Sequence, residues 1–261
     1  MVRRQGRVVV AGLDGPPAEA AVLRAASLVG DLLHVPVRPV HVVPGPGLRG
    51  EARRSALASI VRGEKAEIVG RPEALLTALA QAAGTALTVL GARQRERRPG
   101  GRRGAGTAIA VARRVTSPLL LVPPAAWDWP GPRHVLTALD GTGPTALAAA
   151  AALSGLVEPT TVVVPLHVAD GTTVHSGWDT PDSVAHRTLS VPSVPGGDGP
   201  AHRQGPLGGR ILSLAEELTS NLVVLVWSRH IRGPYGAAVL DVLSSTPVPV
   251  LLVPLTPLPA A

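Results

Sequence analysis

Two glycine-flanked segments hold the residues best suited to chemistry. An apolar run, VVVAGL, ends on Asp14 and Gly15; a later one, TALTVL, ends on Gly91, and an arginine-rich stretch then leads to Gly104, Gly106 and Thr107. Glycine lets a backbone come close to an anion, successive N–H groups can form a nest for it, and the start of a helix adds a positive dipole. A carboxylate at the same edge, such as Asp14, can accept hydrogen bonds from a base or a ribose. The simpler account gives Gly15 and Gly91 to tight strand-to-helix turns and makes Asp14 a helix N-cap.

Other chemistry is poorly supported. Zero Cys excludes disulfides, thiolate nucleophiles and cysteine zinc sites. There is no G-x-x-x-x-G-K-[ST], because the lone Lys65 lies between Glu64 and Ala66, and no G-x-S-x-G elbow. Gly45-Pro46-Gly47-Leu48-Arg49-Gly50 fits G-x-G-x-x-G, but Pro46 lacks an N–H and no clean acidic strand end follows; it reads as a loop rimming a pocket. His167, Asp170, His175, Asp179, Asp182, His186 and His202 are metal-ligand types, yet no two of these histidines have the i, i+4 spacing of a zinc helix. A solvated Gly/Pro-rich loop is the expectation there, with no metal and no catalytic residue.

Arginines are concentrated in one place. Arg93, Arg95, Arg97, Arg98, Arg102 and Arg103 share eleven residues with one acid, Glu96. Residues 1–125 carry a balance of +11 and residues 126–261 one of −4, giving +7 overall. This is one basic loop, not a basic coat, and it lacks nearby aromatics for base stacking, so nucleic acid is not expected as a partner. A solvated lid is the plain reading; charge supplied to a triphosphate is the functional one.

The elements that would position these residues occur twice. VVVAGLDG matches HVLTALDG, and PVHVVP matches the segment around His167 and Val168, both at an offset of 126. TALTVLGAR, ending on Arg93, matches SNLVVLVWSR, ending on Arg229, at 136; SPLLLVP matches VPVLLVP at 131. The second half therefore gains ten residues before its late strand and loses five after it. Each half alternates apolar strand runs with helical patterns, which implies βαβ units, right-handed crossovers and a parallel sheet that binds ligands at its C-terminal edge. A core of Val, Leu and Ala suits such strands, since the chain has no Phe and one Tyr. Residues 124–133 read as a linker, and 170–205 hold at most a weak strand near Ser190.

The order V-x-G-x-D-G, x-H-V-V, V-L-G-x-R, a glycine-rich loop, G-T before a helix, and S-P-L-L-L-V resembles the universal stress protein family in its tandem form. The resemblance implies two tandem open parallel-sheet domains, Rossmann-like and of adenine-nucleotide-binding type, over 1–125 and 126–261. It further implies ATP or AMP binding without dedicated catalysis, with Mg2+ alongside ATP. Asp14 and the Val42 backbone would take the adenosine end; Gly91, Arg93, Gly104, Gly106 and Thr107 would lie along the phosphates. The pattern is partial: Gln94 stands where the family has Gly, and Ala105 follows Gly104 where Ser or Thr is expected, while Gly106-Thr107 restores the hydroxyl. In the second half Trp227 and His230 replace both loop glycines, so one nucleotide per chain is expected. That half would pair with the first as an intramolecular pseudo-dimer along the last strands, 119–123 and 248–254, with a homodimer also open. The alternative is a degenerate scaffold for protein interaction that binds no nucleotide. No apolar run reaches the roughly 18–20 residues of a membrane span, and the basic N-terminus has no leader pattern, so a cytoplasmic protein is expected. Slow ATP hydrolysis stays open, without a visible general base.

Overall fold

The computed structural model describes residues 7–15, 18–46, 48–64, 66–92, 106–139, 143–169, 173–176, 207–227 and 233–255. The chain forms two compact units, Met1–Trp129 and Pro130–Ala261. Both are α/β with a mostly parallel sheet.

In the first unit the elements are β1 (Val8–Leu13), α1 (Ala18–Leu33), β2 (Val37–Val43), α2 (Gly50–Arg62), β3 (Glu67–Val69), α3 (Pro72–Ala80), β4 (Thr85–Gly91), α4 (Thr107–Ala112) and β5 (Leu119–Val122). The strands run parallel in the order β3-β2-β1-β4-β5. β1 and β5 are apolar on both faces and almost wholly buried, as strands covered from two sides must be. α1 buries Ala18, Ala21, Val22, Ala25, Ala26 and Val29, a helical stripe of mostly small residues that brings its axis close to the sheet. α2 stops at Gly63, whose φ of 82° is the left-handed turn glycine tolerates; its N–H reaches the Ile60 carbonyl. α3 opens on Pro72 with Glu73 in its first turn, and its end is held by the Thr85 hydroxyl donating to the Leu79 carbonyl at 2.7 Å. The linker expected over 124–133 starts with a 3-10 turn, Pro124–Ala126.

In the second unit follow β6 (His134–Leu139), α5 (Gly143–Leu153), β7 (Val162–Ala169), β8 (Thr173–Ser176), α6 (Leu207–Glu217), β9 (Leu222–Trp227), α7 (Gly233–Ser245) and β10 (Val250–Pro254). The order is β10-β9-β6-β7-β8, parallel except for β8, which pairs antiparallel with β7. Asn221 fixes the start of β6: its side-chain oxygen accepts from the Arg133 and His134 amides at 3.0 and 3.1 Å, and its amide donates to the Gly131 carbonyl. α6 crosses α7 at Gly208, where an added Cβ would lie 2.8 Å from the Ala238 carbonyl oxygen.

The repeat extends to the hydrogen-bond register. Ala11 faces Pro39 and Leu13 faces His41; Thr137 faces Pro165 and Leu139 faces His167, each at the offset of 126. In both units the outer strand pairs only with residues beyond the proline, β3 from His41 onward and β8 from Leu166 onward. Proline cannot donate to a ladder, so it sets where outer pairing can begin.

Three sequence expectations need correction. β8 was not foreseen. Pro249 lies before β10, not inside it, and its carbonyl accepts from the Val223 amide at 3.1 Å. The late-strand offset is 135, because Gly12 faces Leu90 while its counterpart Ala138 faces Leu225. The second half thus gains nine residues there and loses four afterward. The region around Ser190 lies outside the described residues.

Candidate functional site

With the order β3-β2-β1-β4-β5, chain direction across the sheet reverses between β1 and β4. The connections from those two strands leave on opposite faces, and a crevice opens at their C-terminal ends. Asp14 directly follows β1, and register places Val42 beside it on β2. Gly91 ends β4 on the other side, facing Val122 of β5. The chain then stays on the sheet for one more residue, the Ala92 amide donating to the Val122 carbonyl at 2.8 Å. Gly106 and Thr107 open α4. Asp14, Val42, Gly91, Gly106 and Thr107 therefore gather at one edge of one sheet.

Each has a local physical cause. Asp14 is exposed and precedes Gly15, whose φ of 76° turns the chain off the strand with open space around its Cα. Val42 is buried, so only its backbone could serve a ligand. Gly91 lies under the first turn of α1, where an added Cβ would meet Ala18 and Val22 at 3.5 and 3.6 Å. These are ordinary contacts, so packing alone does not demand glycine at that position. Gly106 has nothing within 4 Å of its Cβ direction, and its carbonyl accepts the Ala110 amide at 3.0 Å as α4 begins. Thr107 is exposed. Arg93, Gly104 and the departures Gln94 and Ala105 lie outside the described residues.

The other motifs resolve differently. Gly45 of the G-x-G-x-x-G segment passes over β3, and a Cβ there would lie 2.7 Å from a Val69 methyl. Close packing explains that glycine. A shallow cleft of about 280 Å³, lined by Val37, Arg38, Pro39, Gly63, Glu64 and Ala66, lies at the N-terminal end of β2, away from the crevice. There the Arg38 Nε donates to the Val61 carbonyl at 3.4 Å and its guanidinium lies against Gly63, so it serves the end of α2. Glu64 pairs with Arg62, whose pKa is raised mainly by that hydrogen bond. Among the described residues no group of three or more His, Asp or Glu gathers as a metal site.

In the second unit the corrected offset makes Val226, not Trp227, the counterpart of Gly91. Val226 is buried at the end of β9. The sequence match was anchored on Arg93 and Arg229, and only hydrogen-bond register could move it by one residue. Asp140 and His230 lie outside the described residues.

Neither a family model nor a curated protein sequence matches the chain. Solved structures do. A universal stress protein from Archaeoglobus fulgidus DSM 4304 shares 16% identity at a TM-score of 0.55, over 97% of this chain and 98% of that one. A provisionally named universal stress protein from Pseudomonas aeruginosa UCBPP-PA14 shares 15% at 0.52, over 96% and 94%. A functionally unknown protein of Pseudomonas aeruginosa PAO1 shares 14% at 0.53, over 96% and 93%. The chain has the fold of the universal stress proteins. No helix among the described residues is long and apolar enough to cross a membrane.

Proposed function

We propose that the chain is a tandem universal stress protein, a cytoplasmic stress-response module whose first domain binds ATP or AMP without dedicated catalysis. The observation that carries this reading is the crevice between β1 and β4, with Asp14, Gly91 and the Gly106-Thr107 helix start at its rim. The described residues fit an adenine nucleotide: a carboxylate for ribose or base, and two glycines whose missing side chains leave backbone approachable. ATP would arrive with Mg2+, and the arginines from Arg93 to Arg103 would meet its charge. In this reading the second domain is the pairing partner, since Val226 puts a branched side chain where the first domain has none.

Isothermal titration of the whole chain with ATP and Mg2+, and separately with AMP, tests the reading. One site per chain is expected, weakened about tenfold or more by Asp14→Ala, the scale of one hydrogen bond to a charged group, and nearly unchanged by Asp140→Ala. Two sites would show that the second domain has been misread. Silent titrations would leave the non-binding interaction scaffold as the function. Phosphate release above background would make the module a slow hydrolase instead.

A further inference from the structure

We propose that Trp127 forms an outer stacking position at the phosphate end of the first unit's crevice, so that the site prefers a dinucleoside polyphosphate to ATP. The inference rests on the adenine-nucleotide reading above and extends it by one ligand group. Gly91, where the phosphates would lie, faces Val122 of β5. β5 runs parallel to β4 and so ends at the same sheet edge; the 3-10 turn Pro124–Ala126 leaves it there and lies against α1. Gly91 adjoins the first turn of that same helix, at Ala18 and Val22. Trp127 directly follows the 3-10 turn. Across the edge the order is therefore Val42 on β2, Asp14 after β1, Gly91 on β4 and Trp127 after β5, with neighbouring strands about 4.8 Å apart.

Packing gives little account of this indole. Trp127 is 63% exposed, whereas Trp129 is 4% exposed and belongs to the unit's interior. A tryptophan that packs buries about 150–250 Å². In a chain with four Trp, one Tyr and no Phe, one of the few aromatics is thus left in solvent at the ligand edge. An exposed indole can stack on a nucleobase of any identity. Asp128, beside it, is exposed as well and, like Asp14 at the other end, can accept hydrogen bonds from ribose hydroxyls. A ligand with a nucleoside at each end of its phosphate chain answers both ends, and ATP answers one. Sequence spacing hid this position: the arginine-rich stretch has no aromatic close to it, and the pairing of β4 with β5 is what brings one to the same edge.

The test titrates the full chain, with Mg2+ present, against ATP and against diadenosine tetraphosphate by calorimetry. The tetraphosphate should bind at least about tenfold more tightly, the scale of one base stacked on an aromatic ring. Trp127→Ala should remove that advantage and bring the two ligands to similar affinity, while Trp127→Phe should keep most of it. Thermal melting checks folding, and Trp127→Leu replaces the alanine variant if that one fails. Intrinsic fluorescence gives a second readout: the tetraphosphate, and not ATP, should quench the emission that Trp127→Phe removes. If neither ligand binds, the adenine-nucleotide reading falls and this inference with it. If ATP binds and the tetraphosphate binds no better, or if a folded Trp127→Ala chain keeps the advantage, the outer position alone is overturned.

Discussion

Two glycines near the crevice look alike in sequence and differ in what surrounds them. Gly12 lies inside β1, where an added Cβ would fall 2.4 Å from a Leu90 methyl and 2.9 Å from one of Leu76. Gly91, at the strand end, would meet only ordinary contacts. Gly12→Ala should therefore destabilise the protein by about 1–3 kcal/mol through overpacking, while Gly91→Ala should leave the melting temperature nearly unchanged. Under the proposed function their effects on ATP binding reverse: the folded Gly91 variant loses affinity and the Gly12 variant, once folded, keeps it. Equal thermal losses in the two variants would contradict the geometry. At this scale the sequence placed Asp14 and Gly91 at strand ends, because each closes a run of strand-forming residues. It misassigned the counterpart of Gly91 because Arg93 and Arg229 made a persuasive local match.

The elements were easier to read than their edges. β1 and β5 are continuous apolar runs, β4 alternates Thr with Ala, Leu and Val, and α1 repeats small residues at helical spacing, so each carries its own signal. β8 carries none: T-V-H-S lies within Gly-, Asp- and His-rich sequence, and its strand character comes from the free edge of β7. α3 offers a test of local electrostatics. Glu73, in its first turn, has a lowered pKa, chiefly through its own backbone N–H and then through Arg71, whose Nε donates to it at 2.9 Å; partial burial opposes the shift. A carboxylate with a depressed folded pKa adds stability that is complete above its unfolded value of about 4.3 and is lost as pH falls through the folded value. Glu73→Gln should thus lower stability at neutral pH, by no more than about 1 kcal/mol at so accessible a helix start. The difference should close in acid. Melting curves at pH 7 and pH 3 check this; a gap that widens on acidification would reverse the sign.

At the scale of the molecule, each unit has its own buried strands. Leu121 of β5 and Leu252 of β10 are both almost fully buried. The proposed pseudo-dimer predicts that Leu121→Asp or Leu252→Asp lowers the unfolding temperature of both halves together in a calorimetric scan, because one shared core would be broken. Melting of one half alone would leave two independent domains. Matched motifs were legible in the sequence, and Ala11–Pro39 and Thr137–Pro165 occupy the same ladder position.

Those prolines also bear on how the sheets breathe. Beyond each of them the outermost strand is short, three residues in β3 and four in β8, and is held on one side by its neighbour. Such a strand can detach without separating the four strands inside it, so its opening free energy lies well below that of global unfolding. Deuterium should therefore replace the amide protons of β3 and β8 long before those of β1, β4, β6 and β9. With solvent exchange fast only at the margins, each unit would behave as a rigid four-strand slab with a hinged border.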